Sequence, residues 1–301
     1  MEIRNLNTFL QVVSIKNFTQ AAKVLGYSQS NVSAQIQQLE REVGAPLFNR
    51  ISRQITLTQH GEELIPYAQK IVSTALLMEN FLKSKESLGG TLHIGMVESL
   101  YEILFESSLL RYHQQFPNVK VELVVDDTET LKNGMQTGIL DFACLITEPL
   151  PKNQWHTWYA KKEDIVVIAN PNNHLCRKKS IALKDLKNEE FIFMELTAPY
   201  IVAFQSAVSA QNITLRPFLT LQSADTATHL VSKGNFVAVL PQYTVIQAAK
   251  QGDVVILPIS DFNESAFSVQ TVLHVNKVMT PQIEGFLNEI RTVIELETTR
   301  L

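Results

Sequence analysis

The feature that most constrains this fold is a pair of short helical segments joined at a glycine, near the start of the chain. Asn17 or Thr19 can cap the first segment, and Gly26 can adopt the left-handed conformation that ends it. Ser28 then has the chemistry of an N-cap for a second helix over residues 29–43. This order predicts a helix-turn-helix.

The apolar spacing around the turn supports this interpretation. Ala22 lets the two helices approach, and Val32 fills the angle between them. The opposite face of the second helix carries side chains that can read base edges in a major groove. These candidate DNA-binding residues are Gln29, Ser30, Asn31, Ser33, Ala34 and Gln37. An ordinary helical hairpin with a small residue in its first helix remains the alternative.

A short alternating segment follows the second helix. Residues 50–57 alternate apolar side chains with polar or basic ones near a turn, which predicts a β-hairpin, or wing. Arg50 and Arg53 lie on it, and an arginine on a wing suits the narrow minor groove. Helix and wing together predict a winged helix-turn-helix.

The charge distribution agrees weakly with nucleic-acid binding. The whole chain has a net charge of −4, which alone does not suggest DNA as a partner. Through Thr58, however, six basic residues stand against three acidic ones, so the remainder of the chain is strongly acidic. A positive head on an acidic body is typical of a nucleic-acid module, although chance fluctuation gives the same pattern.

Four motifs in the first sixty residues resemble the N-terminal signature of LysR-type transcriptional regulators. They are F-T-x-A-A-x-x-L, S-Q-x-x-x-S-x-Q-I-x-x-L-E, L-G-x-x-L-F-x-R, with Val43 in place of its first leucine, and L-T-x-x-G. The chain departs from the pattern at Asn31, where many members have proline or alanine, and at Ala34, where many have arginine. Both positions are on the DNA-facing side, so the departures concern the target sequence.

A heptad pattern follows the wing. Its apolar positions are Leu64, Ala68, Ile71, Ala75, Met78 and Leu82. This spacing predicts a helix that pairs with another helix, or one that packs on its own domain. The resemblance implies a linker helix, here residues 59–88, that joins two subunits, and a tetramer built as a dimer of dimers.

The last two hundred residues alternate strand-like and helical segments, which predicts an α/β domain with a largely parallel sheet. The predicted strands are Thr91–Met96, Val119–Val125, Phe142–Thr147, Asp164–Ala169, Phe191–Met194, Phe218–Gln222, Phe236–Leu240, Val254–Pro258 and Phe267–His274. We expect the chain to change sheets near residues 161–164 and 263–267, giving two subdomains with a cleft between them. This part resembles the periplasmic-binding-protein-like effector domain of the same family.

The expected boundaries follow from these assignments. Residues 1–58 form the DNA-binding domain, and residues 89–301 form the effector-binding domain. Within the latter, we expect residues 91–161 and 268–301 in subdomain I and residues 162–267 in subdomain II.

Hydroxyl groups follow several of the predicted strands, where ligands of such folds bind. The candidate effector-binding residues are Ser99, Leu100, Thr128, Thr197, Ser223 and Thr226. The hydroxyls of the serines and threonines and the neighbouring backbone N–H groups can hold a carboxylate or a similar small group, and plain N-capping is the alternative. Four acidic residues lie nearby with no adjacent Lys or Arg, which argues against a multiply charged anion: Glu98, Asp126, Asp127 and Glu195.

No motif indicates an enzyme. Nucleophile-elbow, phosphate-loop, dinucleotide-binding and metalloprotease patterns are absent from the sequence, and its seven histidines are scattered, so we expect no catalytic residue, metal or cofactor. The basic residues that follow Cys176 can lower its pKa and make it a redox switch, or the thiol can be inert.

The cellular setting follows from composition and resemblance together. Two cysteines, no signal peptide and no long apolar run predict a cytoplasmic protein without membrane contact. The expected partners are double-stranded DNA, a small-molecule effector, further copies of the chain and RNA polymerase. The alternative function is a solute-binding or transport-related protein that uses only the cleft.

Overall fold

The computed structural model describes residues 1–49, 55–80, 87–262 and 267–299. Its α-helices are α1 (Ile3–Ile15), α2 (Phe18–Leu25), α3 (Gln29–Val43), α4 (Gln59–Asn80), α5 (Glu98–Leu100), α6 (Glu106–Gln115), α7 (Thr128–Gln136), α8 (Pro199–Ala210), α9 (Ala224–Lys233), α10 (Gln242–Gln251) and α11 (Pro281–Thr299). A π-helical turn, Tyr101–Phe105, joins α5 to α6.

The strands are β1 (Phe48–Asn49), β2 (Thr56–Leu57), β3 (Gly89–Met96), β4 (Asn118–Val125), β5 (Phe142–Thr147), β6 (Trp155–Glu163), β7 (Ile165–Ala169), β8 (Glu190–Phe193), β9 (Arg216–Thr220), β10 (Phe236–Pro241), β11 (Val255–Leu257) and β12 (Phe267–His274). Strands β1 and β2 pair antiparallel in the head, and the other ten form two five-stranded sheets.

The first three helices pack around a small apolar core that includes Phe9, Ala22, Val32 and Ile36. The caps predicted around the turn are confirmed. Asn17 accepts a hydrogen bond from the Gln20 N–H at 3.0 Å, and the Ser28 hydroxyl accepts one from the Asn31 N–H at 3.2 Å. Gly26 ends α2 with φ of 69°, a left-handed conformation that a Cβ atom disfavours. The tight turn between α2 and α3 therefore depends on this glycine.

The prediction of a largely parallel sheet is wrong about the direction of the strands. The first sheet has the order β4-β3-β5-β12-β6 and the second the order β11-β7-β10-β8-β9. Strand β12 runs antiparallel to both of its neighbours, and so does β7, whereas β3 and β8 are each parallel to theirs. Both sheets are therefore mixed.

The strand β6 was not predicted, because only the ends of this segment are buried and its exposed side chains are largely polar. It forms one edge of the first sheet and leads directly into the second, since β6 ends at Glu163 and β7 begins at Ile165. The chain thus passes between the sheets at Asp164, within the predicted region. The predicted return includes residues 263–266, which lie outside the described residues.

The long helix α4 connects the head to these sheets. Its first turns pack on α1 through Ile65 and Ala68, which belong to the core of the head. Further along, buried Gln69 meets Gly138, whose φ of 76° and lack of a Cβ make room for the Gln69 amide. None of the described helices is both long and apolar enough to cross a membrane.

Candidate ligand cleft and nucleic-acid interface

The face of α3 that the sequence predicts for DNA reading is accessible. Val32, Ile36 and Leu39 point into the core of the head and hold the helix against α1 and α2. Ser33 is half-buried, and the remaining predicted residues are exposed: Gln29, Ser30, Asn31, Ala34 and Gln37. The helix therefore presents amides, hydroxyls and a methyl group to the surroundings.

A polar chain inside the head orients one of these side chains. The Thr8 hydroxyl donates to Gln35 Oε1 at 2.5 Å, and Gln35 Nε2 donates to Asn31 Oδ1 at 3.0 Å. Because Thr8 and Gln35 are buried, this hydrogen bond fixes the orientation of the Asn31 amide in the absence of DNA. The bond uses only the amide oxygen, so the NH₂ group of Asn31 can still donate a hydrogen bond. Sequence reasoning missed both residues, although Gln35 lies on the buried face beside Val32 and Leu39.

The wing is described only at its base. Asn49 Nδ2 donates to the Leu57 carbonyl at 2.8 Å and to Thr56 Oγ1 at 3.2 Å, which ties β1 to β2. The predicted contacts Arg50 and Arg53 lie in the connection between these strands, outside the described residues.

A cavity of about 340 Å³ lies between the two sheets, as the cleft prediction requires. Its lining residues are Val97, Glu98, Ser99, Val125, Asp126, Asp127, Thr128, Ile146, Met194, Glu195, Ala198, Pro199, Tyr200 and Gln222. Two of the predicted residues, Ser99 and Thr128, are thus brought together in one wall. The other wall comes from the segment after β8 and from Gln222 after β9.

Two hydroxyl groups of the lining have no partner in the described part of the chain. Thr128 is 6% exposed and Tyr200 is 5% exposed, and neither side chain hydrogen-bonds to a described residue. These two groups are available to a molecule in the cavity.

The Ser99 hydroxyl connects the two sheets. Tyr243, at the start of α10, donates its hydroxyl hydrogen to Ser99 Oγ at 2.8 Å, and its backbone N–H donates to Glu163 Oε1 at 2.9 Å. Burial raises the pKa of Glu163 to about 7, although the Tyr243 N–H and Lys161 oppose this effect. Ser99, Tyr243 and Glu163 thus form a chain from the cavity to the point where the polypeptide changes sheets.

The cavity is acidic. Glu98, Asp126, Asp127 and Glu195 all line it, and no lysine, arginine or histidine is among its described lining residues. Burial raises the pKa of the Tyr200 hydroxyl, and the charges of Glu98 and Glu195 raise it further. Tyr200 therefore stays protonated and can donate as well as accept a hydrogen bond.

The remaining predicted effector residues are not brought to the cavity. Leu100 is buried in the apolar core, and Thr197 and Thr226 are exposed outside the lining. Ser223 caps α9 by accepting from the Thr226 N–H at 3.3 Å, as the capping alternative states.

The sequence reasoning missed Tyr200 and Gln222 as lining residues. Gln222 carried a signal, because it is the last residue of the predicted strand Phe218–Gln222. Cys176 donates to the Asn170 carbonyl, and burial raises the pKa of its thiol, which favours the inert alternative over a redox switch.

Two family models together match most of the chain. Residues 3–62 match the bacterial regulatory helix-turn-helix protein of the lysR family, and residues 85–295 match the LysR substrate binding domain. The first match covers α1 to α3 and the wing, and the second covers both sheets and the cavity between them.

Curated relatives and solved structures agree with this match. The uncharacterized HTH-type transcriptional regulator YwqM of Bacillus subtilis is 27% identical, over 97% of this chain and 99% of its own. CzcR of the same organism is 26% identical, over 98% of both chains. Full-length OxyR from Pseudomonas aeruginosa superposes with a TM-score of 0.72 at 21% identity, covering 97% of this chain and 95% of its own. Full-length BenM has a TM-score of 0.54 at 24% identity, covering 99% and 98%. At these identities the solved structures show the fold.

Proposed function

Because this chain belongs to the LysR family of bacterial transcriptional regulators, we propose that its helix α3 reads an operator in the major groove and that the cavity holds the controlling effector. The protein is a DNA-binding transcriptional regulator with an effector-binding domain, and its relatives are regulators, not enzymes. Regulators of this family bind DNA and small molecules, and they oligomerise. The alternative of a solute-binding protein leaves the matched DNA-binding head without a role.

The proposal assigns base reading to the exposed residues of α3 and phosphate or minor-groove contacts to Arg50 and Arg53. Asn and Gln side chains suit adenine, and the Ala34 methyl suits the thymine methyl, so we propose an A·T-leaning palindromic operator. Two heads on one face of DNA would read half-sites about one helical turn apart.

The proposal assigns subunit pairing to α4. Tyr67, Ile71 and Met78 form an apolar stripe along this helix and are 67%, 42% and 77% exposed. Apolar side chains at this spacing favour packing against another helix, because burying them removes apolar surface from water. We assign the stripe to a dimer contact, and a tetramer to the pairing of two such dimers.

The proposed effector contacts are Ser99 and Thr128, with Tyr200 and Gln222 on the facing wall. The domain assignments are those expected from the sequence: residues 1–58 for DNA binding, 59–88 for the linker and 89–301 for the effector. We place the regulator in the cytoplasm, where it meets its operator and RNA polymerase.

One observation carries the proposed mode of DNA reading: the exposed α3 face, with Asn31 held in place by buried Gln35. The test is a footprint on the intergenic DNA beside the regulator's own gene, followed by affinity measurements on single-base operator variants. Asn31→Ala should lose roughly 1–3 kcal/mol at particular base positions and little on random DNA.

Gln38→Ala is the matched control. Gln38 lies on the same helix, but it is not one of the predicted DNA-binding residues, and its side chain hydrogen-bonds to Arg41 and Glu42. It should leave base discrimination unchanged. If Asn31→Ala weakens all sequences equally, Asn31 does not read bases.

A further inference from the structure

We propose that the effector of this regulator is a small organic cation, an amine with one or more ammonium groups that lie between the carboxylates on the two walls of the cavity. The inference rests on the proposed effector site and names the chemistry of its ligand.

The carboxylates are distributed over both walls. Glu98 begins α5, and Asp126 and Asp127 precede α7, all on the side of the first sheet. Glu195 follows β8, on the side of the second sheet. A cation between the walls is attracted to both sides, and the described lining residues include no lysine, arginine or histidine that would repel it. Such a ligand would favour the arrangement in which the two walls are closer together. A ligand can control DNA binding only if it prefers one arrangement of the subdomains over another.

Neither α7 nor α8, the two longer helices that begin at the cavity, offers a bound anion a full set of donors. Asp127 already accepts hydrogen bonds from the Thr130 N–H at 2.8 Å and the Thr130 hydroxyl at 3.0 Å, so α7 supplies its own carboxylate. Helix α8 begins at Pro199, which has no N–H to donate. At α7 and α8, a carboxylate ligand would therefore face repulsion with fewer of the compensating donors that helix N-termini usually provide.

The uncharged lining residues can contact both the ammonium group and the hydrocarbon part of an amine. Tyr200 and Thr128 are more than nine-tenths buried, lack partners among the described residues and offer oxygen atoms to an ammonium group. The Tyr200 ring can also attract a cation through its face. Val97, Val125 and Met194 provide apolar surface for a short hydrocarbon chain.

A bare metal ion fits less well. Among the described residues, no three acidic, histidine or cysteine side chains are grouped so that they could hold a metal. The volume of about 340 Å³ is in the range of small-molecule sites, far above that of an ion. The cavity thus favours an organic cation.

The test is calorimetric titration of the full chain with three amines: putrescine, spermidine and phenethylamine. The uncharged diol that matches putrescine, the dicarboxylate succinate and zinc chloride serve as comparison ligands. We expect at least one amine to bind, with an affinity at least about tenfold above those of the diol and succinate. Glu195→Gln should weaken that binding by about tenfold or more, because it removes one charged partner and keeps the shape.

Glu190→Gln is the matched control, since Glu190 is exposed on β8 and does not line the cavity. It should bind the amine as the wild type does. The proposal is overturned if none of the amines binds, if succinate or zinc binds in their place, or if both variants retain wild-type affinity for the amine.

Operator binding, measured on the same preparations, separates this inference from the proposed function. A protein that binds its operator but no amine refutes only the inference. A protein that binds an amine but shows no sequence-specific DNA binding refutes the proposed function and supports the ligand chemistry.

Discussion

A single carboxylate, Glu163, lies where the polypeptide passes from one sheet to the other. It is 8% exposed and accepts the Tyr243 N–H, while Lys161 and Asp164 are the neighbouring charges that act on it. Burial raises its pKa from 4.5 to about 7, so the folded protein binds this proton more tightly than the unfolded chain does. The stabilisation from protonated Glu163 is complete below pH 4.5 and is lost as pH rises through about 7.

We therefore predict that Glu163→Gln flattens part of the pH dependence of stability. In the wild type, Glu163 should lower the free energy of unfolding by roughly 3 kcal/mol as pH rises across this window. Glutamine keeps an oxygen for the Tyr243 N–H but does not titrate. Urea unfolding from pH 4.5 to 8 measures the difference, and parallel profiles for variant and wild type would contradict the assignment.

A second buried carboxylate shows the opposite balance. Burial raises the pKa of Asp141, but Lys277 and the His93 N–H, which donates at 2.7 Å, together hold it at about 2. Asp141 thus stays charged at neutral pH and ties β3 to the segment after β12. Three residues earlier, Gly138 contacts Gln69 of α4, so this segment joins both the linker helix and the first sheet.

Among the elements, α4 has two environments along its length. Its first turns are buried against α1, whereas the stripe of Tyr67, Ile71 and Met78 faces away from the core. The structure therefore shows packing on the helix's own domain for the first heptad positions, and pairing with another helix stays a prediction for the later ones. Leu64 and Ala68 pack on the head, and the later positions Ile71 and Met78 are exposed.

We predict that Ile71→Asp with Met78→Asp dissociates the dimer, because both substitutions place charges in the proposed contact. Sedimentation should show a smaller species. Footprinting should show that it no longer protects a full palindrome. Lys70→Asp is the control on the same helix, since Lys70 is exposed and outside the stripe. A doubly substituted protein that sediments as the wild type would exclude α4 as the dimer contact.

At the scale of the whole molecule, periodic elements were predictable from sequence and long-range pairings were not. The bounds of α3, β5 and β12 are those predicted, because capping and apolar patterns are local. The direction of β12 depends on which distant strands it joins, and β6 is an edge strand with few buried side chains. The spacing of apolar residues along the sequence therefore predicts neither the direction of β12 nor the presence of β6.

The same distinction applies to the cavity. Ser99 and Thr128 follow strands of the first sheet, and the rule that ligands bind at strand ends identified them. Tyr200 reaches the cavity from α8, which follows a strand of the second sheet, and Tyr243 reaches Ser99 from α10. Their roles therefore depend on how the two sheets face each other. No spacing in the sequence encodes that arrangement.

The central claim is that the cavity between the sheets controls the DNA-binding head. The most direct measurement is operator affinity of the full chain with and without the binding amine, for the wild type and for Ser99→Ala with Thr128→Val. We predict that the amine shifts the affinity or the footprint of the wild type. The double variant should bind the operator normally without ligand and need roughly 5- to 150-fold more amine for the same shift, because two hydroxyl contacts, roughly 0.5–1.5 kcal/mol each, are lost. A double variant with the wild-type dose response, or a wild type that no amine affects, would contradict this account.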